Sequence, residues 1–216
     1  MGDLHPVTIV IIVLNALVSL KGFNDFSFRE KYLFNIGAIR RGEQIRMISS
    51  AFLHANPPHL IFNMLTLYFF ADAVIFALGT INFIIIYVGS LLIGNLLSYF
   101  FHKDEYHYSA LGASGAVSGI LYAAILLNPE MKLAFILIPI PIPAYVFGIG
   151  YLLYSIYGMR AQNDNIGHDA HFGGAVGGYL ITLFIAPFLL ETSTLMVILL
   201  AIPIIILFVM IKLGKI

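Results

Sequence analysis

A chain of 216 residues is about one domain's worth, and here 60% of it is apolar and only 10% charged. Soluble domains carry roughly 25% charged residues, and a fold this size has too little interior to hide the apolar surplus, which excludes a soluble globular enzyme, a disordered chain and a nucleic-acid binder. Eleven basic residues balance eleven acidic ones and cysteine is absent, so no electrostatic partner, disulfide, thiolate metal site or cysteine nucleophile is indicated.

Charges divide the chain into seven uncharged runs: 4–20, 47–71, 73–102, 106–129, 133–159, 170–190 and 192–211. A helix needs about 20 apolar residues to cross the hydrocarbon of a bilayer. Seven spans are therefore expected. They must be helical, because barrel strands alternate rather than run solidly apolar. The first run has no basic start and no small-residue cleavage site after it, and reads as a span rather than a signal peptide.

The connection 21–46 mixes Lys21, Arg29, Lys31, Arg40, Arg41 and Arg46 with Phe23, Phe26, Phe28, Tyr32 and Phe34. That mixture favours the membrane interface. In 138–143 (Ile-Pro-Ile-Pro-Ile-Pro) each proline removes a donor and biases its predecessor towards extended geometry, so an extended entry is expected, with the fifth helix starting near Pro143. No internal repeat or disordered tail is apparent. All Lys and Arg except Lys132 fall on the side of the first, third and fifth loops, which the positive-inside rule assigns to the cytoplasm.

Ser114 stands near the start of the fourth span in Leu111-Gly112-Ala113-Ser114-Gly115-Ala116-Val117-Ser118-Gly119. There it meets the unpaired N–H groups and positive end of the helix, which favour a developing anion. Gly115 and Gly119 make a small-residue face on which another helix can come close. The same motif also reads as helix packing with an incidental serine. His171 opens the sixth span, and Gly174 and Gly178, three and seven residues on, share its face. A second glycine-surfaced helix docked on the first would bring a histidine and a serine to one depth, the minimum for nucleophilic catalysis. The plainer reading is a histidine satisfied by a carbonyl. His59 and Asn63, four apart on one helix face, are donors suited to an oxyanion or, alternatively, to gluing helices together. Zinc chemistry would draw on His54, His59, His168, Asp169 and His171, but no H-E-x-x-H motif is present.

Taken in order, Gly42-Glu43-Gln44-Ile45-Arg46, Phe52-Leu53-His54, His59-Leu60-Ile61-Phe62-Asn63-Met64-Leu65, Gly112-Ala113-Ser114-Gly115 and Ala170-His171-Phe172-Gly173-Gly174 resemble the rhomboid intramembrane serine proteases over roughly residues 5–190. The resemblance implies an all-α polytopic fold: a six-helix core over 1–190 with one additional transmembrane helix in 191–216. It implies a Ser114–His171 dyad without cofactor or metal. His59, Asn63 and the Ser114 backbone N–H would line the oxyanion hole. Arg46 would be structural, as would Gly112, Gly115, Gly119, Gly174 and Gly178. The partners implied are the lipid bilayer and transmembrane protein substrates, not nucleic acid, and the implied location is the cell membrane as a multi-pass protein. It also puts the first loop and the active-site mouth outside, against the charge count.

Three positions depart from the family pattern. Ser118 stands where an aromatic often packs on the catalytic ring, leaving Phe172 or another ring to support His171. Ile75 replaces a glutamate one turn before Gly79, with Asp72 the nearest acid. Ile45 replaces a tryptophan before Arg46. The rival reading is a catalytically inactive relative that binds or escorts membrane clients; a transporter is disfavoured because the polar groups cluster in one half of the bilayer.

Overall fold

The computed structural model describes residues 4–135, 138–162, 164 and 166–216. Helix α1 (Pro6–Asn24) starts at Pro6, which lacks the N–H that a first turn leaves unpaired, and the His5 ring accepts the Val7 N–H. Lys21 does not end it, contrary to the 4–20 boundary drawn from charge: a cation in the last turn suits the helix dipole. Asp25 ends it, and its carboxylate caps α2 (Phe26–Tyr32) through the Phe28 N–H. A two-residue strand β1 (Phe34–Asn35), short helices α3 (Ile36–Arg40) and α4 (Arg46–Ser49), and a 3₁₀ turn (Ser50–Phe52) complete the long connection.

The long helix of the second run, α5 (Pro57–Leu78), starts ten residues after the run's first apolar residue. Asn56 caps that helix through the His59 N–H and Pro57 and Pro58 open it. Gly79, at φ 83°, turns the chain directly into α6 (Thr80–His102). After a two-residue strand β2 (Ser109–Ala110) come α7 (Ser114–Leu127), β3 (Lys132–Phe135), β4 (Ile138–Pro143) and α8 (Ala144–Ala161). The extended proline segment and a fifth helix beginning beside Pro143 are as expected. Ile136 and Leu137, within the fifth run, lie outside the described residues. The chain ends with α9 (His168–Ile185), α10 (Leu189–Thr192) and α11 (Thr194–Lys212).

Helices α1, α5, α6, α7, α8, α9 and α11 thus correspond one to each of the seven apolar runs, but the boundary drawn at Asp72 does not hold: α5 passes through Asp72 and ends only at Leu78, before Gly79. By length and composition α1, α5, α6 and α11 can each cross a membrane, and α7 is apolar but only 14 residues long. The fold is an all-α polytopic membrane protein, with six core helices and α11 added at the end. Helix α7 is its axis. Twelve of its residues, from Gly115 to Leu126, are buried among α5, α6 and α9, while the lipid-facing rows carry exposed Phe62, Phe69, Phe76 and Phe184. That is the inversion expected where the solvent is hydrocarbon. Two antiparallel pairings tie loops together: β1 with β2 (Phe34 to Ala110, Asn35 to Ser109) and β3 with β4. The first joins the connection after α1 to the loop just before Ser114. Asp72 accepts from the His5 N–H (3.4 Å) and the Thr8 hydroxyl (3.5 Å), tying α5 to the start of α1.

Candidate active site

Ser114 is the first residue of α7. Its cap, Ala113, has no side-chain acceptor, and the first helical hydrogen bond runs from Val117 N–H to Ala113 carbonyl at 3.0 Å. The N–H groups of the first turn, which form the positive end of the helix, therefore face the loop. The loop itself is held at two points: Gly112 N–H donates to the Ser50 carbonyl (3.0 Å), and Ala113 N–H donates to His54 Nε2 (3.4 Å). Gly112 has φ 135°, which L side chains rarely adopt. A Cβ there would stand 2.9 Å from His59 Nε2 and 3.6 Å from Ser114 Oγ. The missing side chain lets the His59 ring and the Ser114 hydroxyl share one space.

His171 is the fourth residue of α9, its N–H bonded to the Gly167 carbonyl at 3.1 Å. Helices α7 and α9 meet backbone to backbone. A methyl on Gly174 would overlap Gly115, one on Gly178 would overlap Gly119, and one on Gly119 would overlap the Ser90 hydroxyl of α6. A Cβ on Gly115 would lie 3.2 Å from the Ala170 carbonyl oxygen. The residue before His171 is thus packed on the residue after Ser114, which sets the two side chains at one level. Both are half-buried. Among the described residues no hydrogen bond joins the Ser114 hydroxyl to His171; catalytic hydrogen bonds often tighten only when substrate is bound.

The ring stacked on His171 is Tyr151 of α8, not Phe172. Tyr151 lies over the imidazole with centroids 5.8 Å apart and planes 20° from parallel, and its hydroxyl bonds that of Ser118 at 2.9 Å. Phe172 is buried in the groove between α6 and α11, beside Ile93 and Leu207. His168 meets His171 edge to face at 6.2 Å, and its Nε2 donates to both Asp164 carboxylate oxygens at 3.1 and 3.2 Å. These bonds, together with the Ile166 N–H, hold the Asp164 carboxyl below the usual carboxylate range. Asp169 faces elsewhere: it accepts from the Tyr108 hydroxyl (3.4 Å) and lies 3.5 Å from His102 Nε2.

His59 Nδ1 accepts the Ala55 N–H at 3.4 Å, which leaves the proton of a neutral ring on Nε2, the nitrogen beside Gly112 and Ser114. Asn63 spends one of its two amide hydrogens on the His59 carbonyl one turn back (3.0 Å). Arg46 is buried and knots the first connection: Nε and Nη2 hold Glu43, and Nη1 donates to the carbonyls of Glu30 (2.7 Å) and Leu33 (3.0 Å). His54 and His59 meet edge to face at 5.0 Å. The five residues named for zinc fall into separate contacts, and the described residues contain no group of three or more His, Asp or Glu placed to hold a metal ion.

Sequence reasoning missed Tyr151, because the fifth run also holds Tyr145, Tyr154 and Tyr157 and nothing local distinguishes one ring from the rest. It named His54 without assigning it the bond to the serine loop.

A family model described as the Rhomboid domain matches residues 41–188, well over half of the chain. The chain belongs to the rhomboid family. YdcA of Bacillus subtilis, which its name offers as a candidate rhomboid protease, is 29% identical to this rhomboid over 188 residues, 83% of this chain and 88% of its own. RHOMBOID-like protein 12, mitochondrial, of Arabidopsis thaliana is 28% identical over 188 residues, 79% of this chain and 56% of its own. Rhomboid protein 1, mitochondrial, of Saccharomyces cerevisiae is 29% identical over 189 residues, 84% of this chain and 54% of its own. The chain spans about half the length of these two mitochondrial relatives and most of the bacterial one. With relatives named from mitochondria as well as a bacterium, the expectation of a cell-membrane location gives way to the coarser statement: this rhomboid is a multi-pass membrane protein.

Proposed function

We propose that this rhomboid is an intramembrane serine endopeptidase that cuts transmembrane segments of other proteins with a Ser114–His171 dyad. What supports the reading is the backbone contact between Ala170 and Gly115, which packs the residue before His171 on the residue after Ser114 at the start of α7. His171 accepts the proton as Ser114 Oγ attacks the scissile carbonyl carbon, and the oxyanion forms among the Ser114 N–H, the His59 Nε2–H and the second Asn63 amide hydrogen. His171 then gives its proton to the leaving amine, and water repeats the sequence on the acyl-enzyme. The substrate strand must be extended before attack, because a helical peptide bond is shielded by its own turn. No step calls on a metal or cofactor.

An inactive, client-binding role is favoured by one feature, the missing hydrogen bond between Ser114 and His171. Cleavage of a transmembrane reporter by the reconstituted chain, compared with Ser114→Ala, separates the two. Equal product from both proteins would end the protease reading.

A further inference from the structure

We infer that Tyr151 is a positioning residue that holds the His171 imidazole from a separate helix, with Ser118 as its anchor; the inference rests on the protease reading above. An imidazole in a half-open site can turn about its own side-chain bonds, and a broad torsion of this kind is fixed only by what packs on the ring. Tyr151 covers one face at 5.8 Å and 20°, and Phe147, one turn earlier on α8, lies against Tyr151 at 6.1 Å and 16°. Three nearly parallel rings leave His171 little freedom to rotate.

A ring recruited only to fill space has no need of a hydroxyl, and burying one without a partner is costly. Here the partner is built in. Ser118 is 3% exposed and stands one turn after Ser114 on the same face of α7. The helix beneath Tyr151 is fixed as well. One turn on from Ser118, the Tyr122 hydroxyl donates to the Gly148 carbonyl, and a Cβ on Gly148 would lie 3.5 Å from Leu200 of α11. The helix carrying the serine therefore sets the position of the ring that orients the histidine, and α11 backs the helix between them.

The test uses the purified full chain in detergent, Tyr151→Leu and Tyr151→Met against Tyr151→Phe, and two readouts. With a transmembrane reporter, Tyr151→Leu and Tyr151→Met should lower kcat by about 10- to 100-fold, as misplacement of a reacting group does, with KM nearly constant. Tyr151→Phe, which keeps the ring and loses the bond to Ser118, should fall between these variants and the parent. In proton NMR of histidine-labelled protein, with the His171 signal assigned by its loss in His171→Gln, Tyr151→Leu and Tyr151→Met should remove the ring-current shift that Tyr151→Phe retains. Unchanged kcat or an unchanged His171 resonance in both Tyr151→Leu and Tyr151→Met overturns the inference, as does Tyr151→Phe losing as much as they do. If Ser114→Ala cleaves as well as the parent, the protease reading falls instead, and the resonance still decides whether Tyr151 holds the ring.

Discussion

The Nε2 of His54 accepts the backbone N–H of Ala113, one residue ahead of Ser114, while its Nδ1 shares a hydrogen bond of 2.8 Å with the Ser19 hydroxyl of α1. One buried ring thus connects the first helix to the loop that presents the candidate nucleophile. Gln and Asn mimic its two nitrogens separately, Gln reaching to the place of Nε2 and Asn to that of Nδ1. His54→Gln should therefore retain more turnover than His54→Asn. His54→Ala, leaving the Ala113 N–H unpaired, should lose about 1–3 kcal/mol of stability as well. Equal turnover in the Gln and Asn variants would mean that the Ala113 contact does not matter to the loop.

Ser114 and His171 should behave as one unit. Each alanine variant alone is expected to abolish cleavage, and the double variant to be no worse, because dyad members are not additive. Asp169→Asn should keep activity within about tenfold of the parent, since that carboxylate is engaged by Tyr108 and His102 rather than by His171. A loss of several decades in Asp169→Asn would make it a third catalytic member.

For His59 and Asn63 the two roles separate in measurement. As oxyanion donors, their alanine variants should lose about 10- to 10³-fold in kcat with little change in unfolding midpoint. As helix glue they would lose stability, and turnover per folded molecule would stay normal. Kinetics and denaturation on the same preparations decide.

The glycine contacts predict opposite signs at two positions. Gly174→Ala drives a methyl into the Gly115 backbone and should cost about 1–3 kcal/mol or prevent folding. Gly150→Ala, with nothing within 4 Å of its new methyl and an ordinary helical backbone, should gain roughly 0.5–1 kcal/mol. Denaturant titration in micelles reads both. A neutral Gly174→Ala would show that α7 and α9 do not meet where they are placed.

Asp164 carries a pH dependence of known sign. The bonds from His168 and Ile166 favour its charged form in the folded protein, so the folded state binds this proton less readily than the unfolded state. Its contribution is present above the ordinary carboxylate value near pH 4 and is lost as pH falls through that value and below it. The thermal midpoint of the parent should accordingly drop more steeply on acidification than that of Asp164→Asn. Parallel curves for the two proteins would remove the group from the acid response.

Much of this molecule was written in local chemistry. The seven apolar runs were legible because hydrocarbon thickness fixes how many uncharged residues a helix must supply. The proline segment 138–143 was legible because proline constrains its own backbone and its predecessor's. Helix ends were less so: Lys21 did not stop α1, and only the caps at Asn56 and Gly79 set the limits of α5. Gly115, Gly119, Gly174 and Gly178 announced close-packed helices by spacing alone. What spacing could not say is which surface meets which. The β1–β2 pairing, the His54 bond to Ala113, the choice of Tyr151 over Phe172 as the ring on His171, and the seat of α11 against α8 each join residues 20 to 76 positions apart. No local period or composition records such a contact, because its energy depends on where two helices have already come to rest.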